Sequence, residues 1–110
     1  MLLKKLSEAS GVSSNENEIR DIIKDNIKDK VDEFWTDTMG NLIAVKRNEN
    51  SNKKVLLSAH MDEIGLMITG IENNGLLKFR PVGNIDKRVL VSKTVLVGNK
   101  KIKGVIVSKA

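Results

Sequence analysis

Residues 56–70, LLSAHMDEIGLMITG, hold the chain's single histidine, His60, two residues before Asp62 and three before Glu63. Side chains at i and i+2 of an extended segment share a face, so His60 and Asp62 can address one site while Met61 and Glu63 point elsewhere. A neutral imidazole that ligates a divalent metal through one nitrogen usually donates its other N–H to an acceptor behind it. Asp62 is close enough in sequence to fix a ring orientation in this way. The same His-x-Asp pair also serves as an ordinary hydrogen-bonded strand end, and the spacing leaves both readings open. A structural zinc site needs four protein ligands and a catalytic one about three. With one histidine and no cysteine, only carboxylates could make up either number.

The elements that would position this segment follow from apolar period. Leu2, Leu3 and Leu6 share a face ahead of Gly11, which predicts a short helix over 2–9. Ser13 and Glu16 form a capping-box pattern ahead of Ile19, Ile22, Ile23 and Ile27, with Glu18, Arg20, Asp21, Lys24, Asp25 and Lys28 filling the other face, and this predicts a helix over 15–29. From residue 31 the period changes to two. VDEFWTD and LIAVKR bracket Met39-Gly40-Asn41 and read as neighbouring strands, and VLLSA (55–59), apolar on both faces, reads as an interior strand. Asn74-Gly75 and Gly98-Asn99 are two-residue hairpin signals, the first leading from IGLMITGIE into LLKFRPV and the second joining TVLVG to KKIKGVIV. Residues 1–69 therefore predict part of a layered α/β domain, and residues 70–110 the start of a small β-barrel or sandwich. The β pattern stops in GVIVSKA, a strand without a visible partner to close a sheet, which predicts a fragment.

Composition narrows the function classes. A chain of 110 residues with 40% apolar and 30% charged residues has the size and balance of one folded domain. No apolar run approaches the roughly 18 residues of a membrane span, and the N-terminus has no signal-peptide pattern. The lack of cysteine is compatible with a reducing cytoplasm, the expected location. The net charge of +5 arises entirely after residue 55, where nine Lys and Arg face four Asp and Glu. Those cations are scattered over turns and alternate strand positions, and none of Phe34, Trp35 and Phe79 is interleaved with them as a base-stacking platform would need, so no nucleic-acid partner is expected. Met61 and Met67 read as core fillers, Trp35 as packing at a domain edge, and the lysine pairs as solvated charges.

AHMDEIGLMIT at 59–69, preceded by KVLLS, resembles the signature of the glutamyl aminopeptidase family of co-catalytic metallopeptidases, some of which carry the name endoglucanase and whose members assemble into tetrahedral dodecamers. LSEASGVSSNENEIRDIIKDNIKD is similar to that family's N-terminal helical segment, DTMGNLIAVK to its Asp-x-x-Gly-Asn-Leu turn, and LLKFRPVGNIDKRVLVSKTVLV with IKGVI to the start of its inserted domain. The resemblance implies the N-terminal part of a layered α/β metallopeptidase domain over 1–69, then a partial inserted PDZ-like β-barrel over 70–110. It implies His60 as ligand to one of two divalent metals, zinc or cobalt, and Asp62 as the catalytic-site residue that orients the ligand and tunes the metal. It gives Glu63 no ligand role, which leaves a structural strand-end acid. A bridging aspartate, a glutamate pair that includes the general base, a further aspartate and a final histidine have no counterpart in these 110 residues.

The activity implied is removal of N-terminal residues from short peptides by a homo-oligomer, with no peptidase activity expected of this chain alone. Two other roles remain open: a truncated interaction module docking to full-length subunits, and a basic β domain binding nucleic acid. Four positions depart from the family pattern. Ser14 and Asn15 stand where a glycine and an aromatic are usual, Asn84 replaces the second of two glycines and is expected to tolerate any positive φ there, and Val107 replaces a glycine.

Overall fold

In the computed structural model, which describes residues 1–108, the leucines at the N-terminus form helix α1, Leu2–Glu8. It ends where Ala9 N–H donates to Lys5 O at 3.1 Å, and Ala9 is buried. The isoleucine spacing produces helix α2, Asn17–Ile27, which contacts α1. Ile19 is buried and Ile22, Ile23 and Ile27 are half-buried, so the 3.6-residue period does define the inward face. The helix starts two residues later than expected, and Ser13 does not cap it. Glu16 holds the N-cap position, and its carboxylate accepts Ser14 N–H at 2.6 Å.

Arg20 departs from the sequence reading more sharply. It was expected on the charged outer face, yet it is buried to 9% exposure. Its Nε donates to Gly40 O at 2.9 Å, Nη1 donates to Asn17 Oδ1 at 2.8 Å, and Nη2 lies 3.5 Å from Glu16 Oε2. These partners satisfy the planar guanidinium fork, which is what permits a cation to leave water.

Strands β1 (Glu33–Thr36) and β2 (Leu42–Val45) form the expected antiparallel pair, with Phe34 opposite Ala44 and Trp35 opposite Ile43. The turn between them is built on Asp37. Its Oδ1 accepts Met39 N–H at 2.9 Å and Asn41 N–H at 2.8 Å, and its Oδ2 accepts the Asn41 amide at 2.9 Å. Gly40 takes the left-handed φ of +89°. The Asn41 side chain foremost, and then the backbone donors, hold the Asp37 carboxyl below its ordinary pKa. A lowered folded-state pKa contributes stability above the unfolded value and loses it as pH falls through the folded one. Thermal melts followed by circular dichroism should therefore show stability falling on acidification below about pH 4, and Asp37→Asn should remove part of that dependence.

VLLSA is not an interior strand. Residues 51–62 carry no ladder hydrogen bonds, and Leu56 and Leu57 are 88% and 91% exposed. The reason is the missing neighbour: β2 pairs only with β1, and no described strand lies beside 55–59. Apolar character on both faces is a demand for cover that the described residues do not supply.

By contacts the chain divides into two compact units, Met1–Gly65 and Leu66–Ala110. In the second, β3 (Gly65–Ile71) and β4 (Leu77–Val82) form a two-stranded sheet. Glu72 N–H donates to Leu76 O at 2.8 Å and Gly75, at φ +84°, closes the turn, so the connection has three residues where Asn74-Gly75 predicted two. A 3-10 turn, Lys87–Val89, is capped by Asp86, which accepts Arg88 N–H at 2.9 Å. Strands β5 (Thr94–Val97) and β6 (Ile102–Val105) pair antiparallel around a four-residue loop, Val97 opposite Ile102 and Thr94 opposite Val105. The segment expected to lack a partner is thus paired on one side. Its last two residues, 109–110, lie outside the described ones. Ile106 is buried beyond β6, with its N–H on Lys93 O and its carbonyl on Ser92 N–H. Gly83 takes φ +86° while Asn84 has no positive φ, so nothing left-handed is asked of Asn84. Met61 is half-buried, but Met67 is exposed on β3 and fills no core.

Candidate functional site

The segment carrying His60 is extended but has no sheet around it, so something else must hold it. That role falls to residues 11–15, which run beside 61–63. Val12 and Glu63 form a parallel bridge, Glu63 N–H donates to Gly11 O at 2.7 Å, and Gly11 N–H donates back to Glu63 Oε1 at 3.0 Å. Glu63 is therefore the acid of a two-way strap, in keeping with the structural role expected for it. The approach is close enough to exclude larger residues. A Cβ on Gly11 would lie 3.1 Å from Ile19 Cγ2 and 3.2 Å from Met61 O, and one on Gly65 would lie 2.4 Å from Val12 Cγ2.

Immediately after Val12 the chain turns. Asn15 N–H donates to Val12 O at 2.7 Å, and Ser14, the third residue of this turn, has φ +74°. That is the position a type II turn reserves for glycine, because an L side chain is strained there. The unusual serine at 14 is thus a local cost, and Ser14→Gly is expected to stabilise the protein by about 1 kcal/mol, raising its melting temperature by a few degrees.

The turn delivers the Ser13 hydroxyl to the site, where it donates to Asp62 Oδ2 at 2.6 Å. The other carboxylate oxygen, Oδ1, lies 3.2 Å from His60 Nδ1, and Asp62 O lies 3.0 Å from the same nitrogen. Two acceptors on Nδ1 assign the ring proton to that nitrogen and leave the Nε2 lone pair free. The His60 side chain is 86% exposed, so Nε2 is open to an incoming group. The Ser13 hydrogen bond foremost, against partial desolvation and with help from His60, holds the Asp62 carboxyl below its ordinary pKa and keeps it an acceptor. Sequence pattern brought His60 and Asp62 together, as expected. It missed Ser13, whose hydroxyl looked like a helix cap.

Among the described residues no group of three or more His, Cys, Asp or Glu side chains is arranged to hold a metal ion. The donor chemistry at His60 nonetheless fits one metal ligand: a neutral ring with its far nitrogen proton anchored and its near nitrogen exposed. An apolar groove lined by α1, α2, β2 and residues 56–63 runs alongside.

Residues 40–110 match the model of the M42 glutamyl aminopeptidase family. The chain belongs to that family. Family members are aminopeptidases, and the M42 family is metal-dependent in general. This M42 chain is 40% identical over 95 residues to the lysyl aminopeptidase of Pyrococcus furiosus, an alignment covering 86% of the chain and 27% of that enzyme. It matches the crystal structure of a Thermotoga maritima endoglucanase with a TM-score of 0.89 at 50% identity, over 97% of this chain and 34% of that one. It matches the Pyrococcus horikoshii TET1 peptidase, which can assemble into a tetrahedron or a large octahedral shell, with a TM-score of 0.82 at 42% identity, over 98% of this chain and 32% of that one. The M42 chain spans under a third of the length of the curated relatives it matches. Its mixed α/β fold is that of the N-terminal part of the TET aminopeptidases. No helix among the described residues is long and apolar enough to cross a membrane.

Proposed function

We propose that this chain is the N-terminal portion of a metal-dependent aminopeptidase that removes N-terminal residues from peptides, with His60 as a metal ligand and Asp62 as the residue that orients it. The observation that carries the reading is the imidazole of His60, anchored through Nδ1 by Asp62 and open at Nε2. When bound, a pair of divalent ions, zinc or cobalt, supplies a low-pKa water nucleophile and polarises the scissile carbonyl. His60 contributes a neutral nitrogen lone pair at Nε2. Asp62 holds the proton on Nδ1 and so keeps the ring oriented. The acids and the second histidine that complete the ligand set, and the glutamate general base, belong to the remainder of the enzyme.

The first unit is then the opening of the α/β catalytic domain, and the second the beginning of an inserted, PDZ-like β-barrel. The complete enzyme is a cytoplasmic homo-oligomer of the tetrahedral kind, the assembly of the TET1 peptidase supporting this reading. The exposed Leu56 and Leu57 fit a segment whose sheet neighbours come from the rest of the enzyme.

The test is hydrolysis of short peptides with free N-termini. The complete enzyme should lose activity to a chelator, regain it with zinc or cobalt, and ignore N-acetylated peptides. Since His60→Ala deletes a ligand, it should lower kcat/KM by at least about a hundredfold, more than the loss of an outer partner does. The 110-residue chain by itself should be inactive. Activity that survives His60→Ala would contradict the proposal.

A further inference from the structure

The Ser13 hydroxyl is remote in sequence from the metal motif, yet it donates to Asp62 Oδ2 at 2.6 Å. Its backbone is held at both ends. Before it, the strap joins Gly11 and Val12 to Glu63, and after it the turn is closed by the hydrogen bond from Asn15 to Val12. The carboxylate it touches is only half-covered, with 45% of the side chain exposed. A carboxylate so placed rotates broadly about its last torsion, because that torsion joins sp³ to sp² carbon. Fixing Oδ2 on Ser13 restricts the rotation and leaves Oδ1 facing His60 Nδ1 at 3.2 Å. Without Ser13 the carboxylate is free to swing to solvent, and Nδ1 keeps only the Asp62 carbonyl.

We infer that Ser13 is a positioning residue: through Asp62 it fixes the His60 imidazole in the tautomer that presents Nε2, rather than Nδ1, to a metal. The metal in this statement rests on the function proposed above, but the tautomer does not. An unconstrained neutral imidazole favours its proton on Nε2, the wrong nitrogen to block for this site. The chain of contacts from Ser13 to Asp62 to His60 reverses that preference. It also explains why Ser13 does not cap α2, since its hydroxyl is already engaged.

Because His60 is the only histidine, its ring nitrogens give a single, unambiguous set of signals in a 15N-imidazole-labelled chain. At about pH 8, where an ordinary imidazole is neutral, the expected spectrum shows Nδ1 protonated and Nε2 bare. Ser13→Ala should move the population towards protonated Nε2, and Ser13→Thr, which restores a hydroxyl, should return it. Isothermal titration of the complete enzyme with zinc should give an apparent affinity about tenfold weaker in Ser13→Ala. If Ser13→Ala disperses its amide spectrum poorly, Ser13→Cys, a weaker donor of similar size, should give an intermediate tautomer ratio. A ratio in Ser13→Ala, or in Ser13→Cys where that variant is used, equal to the unsubstituted chain overturns the inference. A ratio that moves in Ser13→Ala while zinc binds the complete enzyme and its Ser13→Ala variant equally tightly upholds the tautomer role of Ser13 and contradicts its bearing on a metal at His60.

Discussion

Alanine at position 62 is expected to weaken divalent-metal binding at His60 by about 10–100-fold, the range seen when the outer partner of a ligating histidine is removed. Two contacts go at once. His60 Nδ1 loses Oδ1 and Ser13 Oγ loses Oδ2, so the imidazole is freed and the hydroxyl that held the carboxylate is left idle. Asp62→Asn separates geometry from charge. Its amide oxygen can still accept from Nδ1 while the amide nitrogen donates to a rotated Ser13 hydroxyl, so the ring stays oriented but its acceptor is no longer charged. Isothermal titration with zinc on the complete enzyme should place Asp62→Asn between the unsubstituted protein and Asp62→Ala. Equal affinities in all three would remove Asp62 from the site.

Arg20→Ala carries the largest stability change expected in the chain, a loss of about 2–4 kcal/mol. The side chain is buried and spans three partners: the Gly40 carbonyl in the β1–β2 turn, the Asn17 amide, and Glu16 at the head of α2. Truncation leaves the half-buried Gly40 carbonyl and Glu16 carboxylate short of a donor, and it also removes the packed stem. The guanidinium fork matters as well as the charge, so Arg20→Lys should recover only part of the loss. Urea unfolding followed by circular dichroism measures both variants. A change under about 0.5 kcal/mol, the scale of an ordinary surface substitution, would mean that Arg20 does not tie the helix to the turn.

Local pattern carried much of this architecture because the forces involved are local. The isoleucines of α2 had to share a face at that spacing, and Asp37 with Gly40 and Asn41 had to turn. His60 and Asp62 were legible for the same reason, since two residues in an extended segment face one way. Ser13 was not, because a hydroxyl ahead of a helix can serve the helix or a carboxylate 49 residues on, and only the tertiary approach of Gly11 to Glu63 decides which. Arg20 was misread by its charge: an arginine at a polar position of a helical period looks solvated until its partners are known. The apolar stretch 55–59 reads as an interior strand and is not one here, because an interior strand needs neighbouring strands that no property of those five residues supplies. Loop length was likewise beyond the dipeptide signals, and both hairpins close with more residues than Asn-Gly or Gly-Asn alone implied.

The most direct test of the account is anomalous diffraction at the zinc edge from crystals of the complete enzyme grown with zinc. A peak is expected about 2.0–2.1 Å from His60 Nε2, with Asp62 on the far side of the ring against Nδ1. A zinc peak elsewhere, with His60 Nε2 unliganded or Nδ1 taking the metal, would contradict it.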